Sequence, residues 1–265
     1  MRIPPDHPRA ESLETREKLI DQYAKGVVTL AGLIAYGRGE AFDYLLGEKT
    51  TSSALKAIDA GAAAMLLAEK PVISVNGNVA ALVAEDIVKF SQVTEAKIEV
   101  NLFYRSLDRE RAIGKLLEKA GATKILGIGK NASARIEELS SKRRRVDPAG
   151  IYVADVVLVP LEDGDRTQAL VKMGKKVIAV DLNPLSRTAQ EASITIVDNI
   201  VRAAPKLTEA ATELKREGKK RCRRILANFN NRKNLNESVT LINEKLSKLA
   251  KQQKGFTLDG KELEL

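Results

Sequence analysis

Two pairs of an acid and an amide stand directly after apolar runs in the second half of the chain. Asp181 and Asn183 follow the run at 177–180, and Asp198 and Asn199 follow a second short run. Such runs are typical of buried parallel strands. Because ligands bind at the carboxyl edge of an open α/β sheet, the two pairs predict a polar site there for a sugar, a nucleotide or a metal.

Three arginines stand in or next to predicted helices and turns. Arg16 lies in a predicted helix at 9–25, Arg187 follows the turn after Asn183, and Arg38 stands between two glycines. The stretch at 27–46 is predicted to be a helix that breaks at its glycines. The Gly-Arg-Gly run is either a helix end with a flexible turn or a backbone that approaches an anion, with Arg38 as the clamp.

Two further turns carry polar side chains at predicted strand ends. Asn76, Gly77 and Asn78 separate an apolar run from a predicted helix, where free backbone N–H groups and the helix dipole favour an anion. Asn78 either caps that helix or contacts a ligand. The acidic turn that contains Asp163 and Asp165 is either a solvated loop or a site for Mg²⁺ and phosphate.

A glycine-rich run at 127–132, GIGKNA, fits the dinucleotide-binding pattern G-x-G-x-x-A. The run does not follow the first predicted strand, and no strand ends in an acid about 20 residues later. An NAD-dependent oxidoreductase that uses Gly127–Ala132 is therefore a weak alternative function.

The net charge of +9 is concentrated near the C-terminus. Residues 215–254 hold 13 Lys and Arg against three acids, so the rest of the chain is close to neutral. A nucleic-acid-binding protein that uses this segment is a second alternative. Phe229 is the only aromatic residue in it, whereas stacking platforms generally use several, so nucleic acid is an unlikely partner.

Predicted strands alternate with predicted helices at least five times, which indicates an α/β fold with a mostly parallel sheet covered on both faces. We expect a single domain over 1–265, with a catalytic body at about 1–214 and a basic helical extension at about 215–265. His7 and Cys222 are the only residues of their types, which excludes a multi-cysteine zinc site and disfavours a Ser-His-Asp triad. No apolar run approaches the roughly 20 residues of a membrane span.

Several motifs in a fixed order give the chain a family resemblance. It resembles the archaeal phosphopantothenate synthetases, or 4-phosphopantoate–β-alanine ligases. The matching segments are HPR at 7–9, AGLIA at 31–35, GRGEAFDYL at 37–45, SVNGNVAAL at 74–82, NLFYR at 101–105, VPLEDGDR at 159–166, DLNPLSR at 181–187 and IVDNIVRA at 196–203. They lie within about residues 3–214, and residues 215–265 match poorly.

The resemblance implies a reaction and a setting. ATP activates the carboxylate of 4-phosphopantoate as an acyl adenylate, and the amine of β-alanine then displaces AMP to give 4′-phosphopantothenate. This is a cytoplasmic step of coenzyme A biosynthesis, carried out by homodimers with a Rossmann-like fold. The ATP contacts carried over from the family are Arg16, Arg38, Asp181, Leu182, Asn183, Arg187, Thr188, Asn199 and Ile200.

Adenylation joins an anionic carboxylate to a triphosphate, so charge neutralisation and positioning are its main requirements. We therefore expect Arg38 and Arg187 to be the catalytic residues. Mg²⁺ is assigned to Asp163 or Asp165 because they cluster. The candidates for binding 4-phosphopantoate are Asn76, Gly77, Asn78 and Arg105.

Overall fold

The computed structural model describes Pro4, residues 6–7 and residues 9–251. Within them the chain forms ten α-helices and eight strands. The helices are α1 (Ala10–Ala24), α2 (Leu30–Leu46), α3 (Ser52–Leu67), α4 (Gly77–Thr94), α5 (Leu107–Lys119), α6 (Gly164–Lys172), α7 (Arg187–Glu191), α8 (Ile200–Glu217), α9 (Lys219–Asn228) and α10 (Asn231–Lys251). The strands are β1 (Pro71–Val75), β2 (Lys97–Val100), β3 (Ile125–Leu126), β4 (Ala134–Arg135), β5 (Arg145–Val146), β6 (Val156–Pro160), β7 (Lys176–Val180) and β8 (Ile194–Ile196).

Six strands form one parallel sheet in the order β3-β2-β1-β6-β7-β8, while β4 and β5 pair as a separate antiparallel ribbon. The prediction of a Rossmann-like parallel sheet is confirmed. The chain builds outward from β1 in one direction, then returns to place β6 on the other side of β1. The β1–β6 boundary is the topological switch point, the usual position of a ligand crevice in such sheets.

Helices cover both faces of the sheet. Ile73 and Val75 of β1 pack into the larger core with α3, α4 and α8, whereas Val72 faces a smaller core that includes Leu170 of α6. The small residues of α3 allow close packing on the sheet. A Cβ at Gly61 would lie 3.2 Å from Cγ2 of Ile178, so the side chain of this β7 residue packs directly against the backbone of the helix.

Helix α2 differs from the sequence prediction. The expected break at its glycines is wrong: Thr29 caps the helix at one end, and it continues to Gly47, with φ of 95°, at the other. Tertiary packing here outweighs the low helix propensity of glycine. Helix α8 begins at Ile200 and continues through Pro205 to Glu217.

The two C-terminal helices pack on the body of the domain. Asn231 at the start of α10 accepts a hydrogen bond from the Thr195 amide at 2.7 Å and donates one to the Ala192 carbonyl at 2.9 Å. Leu235 is buried in a cluster with Leu182 and Val197. The described part of the expected extension, 215–251, is thus continuous with the core, and residues 252–265 lie outside the described residues. No helix within the described ranges is long and apolar enough to cross a membrane.

The contribution of α10 to stability is testable with two leucines. Replacing Leu235, which is 7% exposed, by Ala should lower the free energy of unfolding by about 2–5 kcal/mol, because it removes buried methyl groups and leaves a cavity. Replacing Leu246, which is 47% exposed, should change it by less than about 0.5 kcal/mol. Denaturant titration of both variants measures the difference. Equal, small effects would contradict the view that α10 belongs to the folded core.

Candidate active site

Asn76 joins the two halves of the sheet at the switch point. Its Oδ1 accepts the Val79 amide at 3.1 Å and so caps α4. Its Nδ2 donates to the carbonyls of Pro160 and Leu161 at 3.1 and 3.0 Å. The turn after β1 and the turn after β6 are therefore held by one side chain.

The neighbouring residues of this turn fix the position of α2 and the segment before it. Asn78 does not cap α4; its Nδ2 donates to the Gly32 carbonyl of α2 at 2.9 Å, so the capping alternative is wrong for this residue. A Cβ at Gly77 would lie 2.3 Å from the Val27 carbonyl oxygen. Only glycine permits this close approach of two backbone segments.

The carboxyl end of β7 forms a compact polar turn. Asp181 accepts the Asn183 amide at 2.9 Å through Oδ1 and the Ser186 hydroxyl at 2.5 Å through Oδ2. Burial raises the pKa of Asp181 above its usual range. Ser186 in turn caps α7, the helix that begins with Arg187 and Thr188. The predicted acid and amide pair thus shapes the start of α7.

The carboxyl end of β8 meets α2. Asn199 caps α8 by accepting the Val201 amide, and its Nδ2 donates to the Tyr36 hydroxyl at 3.2 Å and to Asp43 at 3.0 Å. Burial raises the pKa of Tyr36 to about 12, so this hydroxyl stays protonated at neutral pH. Sequence reasoning did not assign Tyr36 or Asp43 to the site.

A nearly buried ion cluster fixes α2 to the turn after β8. Arg202 contacts Asp43 at 2.5 Å and Asp198 at 2.7 Å. The second oxygen of Asp198 accepts the Thr50 hydroxyl at 2.7 Å. Because a buried charge is tolerated only when it is paired and hydrogen-bonded, this cluster defines the position of α2. Arg202 lies inside the matched IVDNIVRA segment, but its pairing with Asp43 was not visible from the sequence.

Arg16 and Arg38 lie on neighbouring helices. Arg16 of α1 contacts Glu40 of α2 at 3.1 Å, and its Nη2 donates to the Tyr44 hydroxyl at 3.3 Å. The hydrogen bond that Arg16 donates to the Glu40 carboxylate raises the pKa of Arg16. Arg38 is exposed on α2, in the middle of the helix rather than in a turn.

Arg187 and the two acids proposed for Mg²⁺ lie beside one another. Arg187 pairs with Asp165 at 2.7 Å, and both side chains are largely exposed. Asp163 caps α6 and contacts Arg143 at 3.3 Å. The described residues contain no group of three or more His, Cys, Asp or Glu side chains arranged to hold a metal ion. Any Mg²⁺ here would need ligand oxygens from another source.

Glu162, which the sequence prediction did not include, is the centre of a buried ion cluster. Its carboxylate pairs with Arg143 and Arg166, and its backbone carbonyl accepts the Thr188 hydroxyl at 3.0 Å. Burial lowers the pKa of Arg143 to about 9 and that of Arg166 to about 10. Helix spacing pairs Glu162 with Arg166 at i and i+4, but the partner from residue 143 has no local sequence signal.

Arg105 lies in a separate internal network. Its guanidinium pairs with Glu110 and donates to the carbonyl oxygens of Arg145, at 2.8 Å, and Gly127. Only 7% of the residue is exposed. The Arg105 guanidinium and the Asn76 side chain therefore belong to different hydrogen-bond networks.

The glycine-rich run at 127–132 lacks the context of a dinucleotide site. It follows the two-residue strand β3 and leads into a 3₁₀ turn at Gly129–Asn131 rather than an α-helix. Pyrophosphate binding by this motif requires the N-terminus of a helix. Gly127 instead fits closely against the backbone of β2, where a Cβ would lie 2.5 Å from the Val100 carbonyl oxygen.

The remaining predicted residues form one continuous region at the carboxyl edge. The turns after β7 and β8 are adjacent, since the Asp181 amide donates to the Ile196 carbonyl at 3.1 Å. A Cβ at Gly39 would lie 3.8 Å from Leu182, so α2 lies over the turn after β7. The residues brought together are Asp181, Leu182, Asn183, Arg187, Thr188, Asn199 and Ile200, with Arg38 on α2 and Arg16 beyond it.

Comparison with known proteins identifies the family. The model of the phosphopantothenate/pantothenate synthetase family matches residues 53–245. The chain belongs to this family. The family match includes most of α9 and α10, so it extends well beyond residue 214, where the resemblance read from motifs ended.

Curated relatives of the family match nearly the whole chain. A protein of Thermococcus onnurineus (strain NA1) is 53% identical over 251 residues, which cover 94% of this chain and 95% of the relative. A protein of Thermococcus kodakarensis is 52% identical with the same coverage. A protein of Methanosarcina mazei is 51% identical over 248 residues, or 94% of this chain and 97% of the relative. Each of the three is named 4-phosphopantoate–β-alanine ligase.

Glu99 of β2 is a buried acid on the face of the sheet next to the Glu162 cluster. It accepts the amides of Asp147 and Ile151 at 2.9 and 2.6 Å and is fully buried. Burial raises its pKa to about 7 despite these hydrogen bonds. The folded protein therefore binds a proton more tightly at Glu99 than the unfolded chain does.

The raised pKa of Glu99 gives stability a defined pH dependence. Between about pH 4.5 and pH 7 the folded state holds more protons at this site, so the free energy of unfolding should fall with rising pH by a few kcal/mol. The Glu99→Gln variant should lack this part of the decrease. Denaturant midpoints of both proteins from pH 4.5 to pH 8 measure it. Parallel profiles for the two proteins would contradict the assignment.

Proposed function

We propose that this protein is an ATP-dependent ligase that joins 4-phosphopantoate and β-alanine. A carboxylate oxygen of 4-phosphopantoate attacks the α-phosphorus of ATP, and pyrophosphate leaves. The β-alanine amine then attacks the acyl carbon, loses a proton and expels AMP. The products are 4′-phosphopantothenate, AMP and pyrophosphate, and the reaction belongs to coenzyme A biosynthesis.

One observation carries this proposal: identity of 51–53% to three ligases of that name over 94% of the chain. The chemistry of the carboxyl edge agrees with it. The edge offers two exposed guanidinium groups, Arg38 and Arg187, and neither step requires a nucleophilic side chain. Reactions between two anions depend on neutralised charge and correct orientation, which arginines on fixed helices supply.

The nucleotide side of the site comprises the turns after β7 and β8. In this proposal Asp181 and Asn183 contact the adenosine, while Arg38 and Arg187 contact the phosphates and act as the catalytic residues. Arg187 pairs with Asp165 on the surface, and an exposed ion pair contributes only about 0–1 kcal/mol. A phosphate can therefore replace Asp165 as the partner of Arg187 at little cost.

Arg16, Leu182, Thr188, Asn199 and Ile200 complete the proposed nucleotide side. Several of these side chains hold the elements of the site in place, because their hydrogen-bond donors are already used within the protein. Asn199 uses its amide on Tyr36 and Asp43, and Thr188 uses its hydroxyl on Glu162. Leu182 and Ile200 are buried, so we assign them backbone or apolar contacts.

The 4-phosphopantoate side is proposed to lie at the switch point, over Asn76, Gly77 and Asn78. Free N–H groups at the start of helix α4, which kinks at Val83, favour an anion there. We assign Arg105 an indirect role, because its three donor groups are used within the protein. It supports the segment from Gly127 to Arg145.

Steady-state kinetics of Arg105→Ala separate a direct from an indirect role. An indirect role predicts a lower melting temperature and a similar rise in KM for ATP and for 4-phosphopantoate. A direct contact with the carboxylate or phosphate of 4-phosphopantoate predicts a selective rise of its KM. Arg111→Ala, which removes an exposed arginine of the same helix region, is the control. A selective effect with unchanged melting temperature would refute our assignment.

Mg²⁺ is proposed to enter with ATP as part of the substrate. Mg²⁺ requires octahedral oxygen coordination and commonly takes phosphate oxygens, waters and one or two carboxylates. Asp165 is exposed and fits the role of a single carboxylate, whereas Asp163 is used as a helix cap and by Arg143. The protein then supplies few of the oxygen ligands of Mg²⁺. This agrees with the lack of a preformed acidic cluster in the described residues.

Release of AMP from ATP tests the function directly. AMP should form only when both 4-phosphopantoate and β-alanine are present. Arg187→Ala should lower kcat by about 10²-fold or more, since it removes a positive charge from the transition state. Arg135→Ala, an exposed arginine on the separate ribbon, should leave the rate unchanged. Folded wild-type protein that forms no AMP in the full mixture would refute the ligase function.

We further propose that the protein acts as a homodimer in the cytoplasm. Helix α2 exposes Leu30 and Ile34 at i and i+4, at 60% and 66%, which is unusual for large apolar side chains. Sedimentation velocity of the wild type should give a dimer, and Ile34→Glu should weaken it. Leu249→Glu, at a 43% exposed leucine of α10, should not. A monomeric wild type at all concentrations would exclude the homodimer.

A further inference from the structure

A cavity of about 370 Å³ lies between α3, α9 and α10. Its residues belong to none of the turns that form the candidate active site. It borders β8 through the α9–α10 connection, where Asn231 binds the backbone of that strand. The volume is within the range of pockets that hold small ligands.

The cavity wall carries more cationic than acidic side chains. Lys56, Arg221, Arg224 and Lys233 line it, with Asp59 and Glu237. Two of the cations have partners, because Lys56 contacts Glu237 at 2.9 Å and Arg221 contacts Glu217 at 3.0 Å. Within residues 9–251, Arg224 and Lys233 have no acidic partner within 4 Å. Both are therefore available to an anion.

One side of the wall is suited to a planar ring. Phe229 and Ile225 line the cavity, are half-buried and give it an apolar surface.

We propose that this cavity is a second binding site, for a nucleotide. The phosphate contacts Arg224 and Lys233, and the base packs on Phe229. These two requirements, an anion and a planar ring, are met together by a nucleoside phosphate. The same chemistry is present in a free nucleotide and in a nucleotide of an RNA chain; the free nucleotide is favoured because Phe229 is the single aromatic side chain that lines the site, whereas single-strand platforms stack several bases.

Two pairs of charge reversals test the site with AMP as the probe. Arg224→Glu with Lys233→Glu changes two residues of the cavity wall. Arg223→Glu with Arg232→Glu changes the adjacent exposed arginines by the same total charge, but neither residue lines the cavity. Equilibrium dialysis of labelled AMP against the full-length proteins measures the amount bound. All four positions are exposed, so both double variants should fold. Circular dichroism of each variant checks that its helix content is unchanged.

The wall pair should bind one AMP fewer per chain than the control pair, or bind it on the order of 10²-fold more weakly, because two charge-assisted hydrogen bonds are lost. The comparison is between the two pairs, so it holds whether or not the candidate active site also binds AMP. Equal AMP binding by the two pairs would overturn the proposal. A labelled ten-nucleotide oligo(U) is the second probe, and RNA binding with no difference in AMP binding would also overturn it.

Discussion

The contact of Arg202 with Asp43 and Asp198 is the interaction on which the site depends most. It joins α2 to the turn after β8 at a position where water is largely excluded. Each acid has a further partner, Asn199 for Asp43 and Thr50 for Asp198, so the cluster is well satisfied. Removing one member would leave a buried charge unpaired, which typically costs 3–5 kcal/mol. Helix α2, with Arg38 and Glu40, would then lose its fixed position over the sheet.

The parallel sheet supplies the second constraint. All six strands present their carboxyl ends at one edge, so residues far apart in sequence meet there. Two side chains convert this arrangement into a rigid frame. Asn76 binds the turn after β6, and Glu162 in that turn is held by Arg143 and Arg166 and binds Thr188 through its carbonyl. The segment around Arg143 and the start of α7 are therefore both attached to Glu162.

Much of the fold was predictable from the sequence because short apolar runs and helical periodicity are local signals. The alternation of strands and helices along the chain, the positions of Asp181 and Asn199 after strands, and the family followed from such signals and from motifs. The side-chain contacts between these elements could not be predicted from local sequence signals. Asn76 and Asn78 are equally good caps by composition, and only the packing of α2 decides between them. The persistence of α2 through three glycines likewise depends on tertiary contacts.

Burial separates five arginines of this protein into two classes that make different contacts. Arg105, Arg143 and Arg166 are buried and use their guanidinium groups on internal carboxylates and carbonyls, so they stabilise turns. Arg38 and Arg187 are exposed at the same edge of the sheet, and Arg187 has only a weak surface partner. Residue type and motif position do not distinguish these classes. In the proposed ligase, an arginine that neutralises the triphosphate needs a fixed helix beneath it and a guanidinium that is not already used, and only the exposed class meets both conditions.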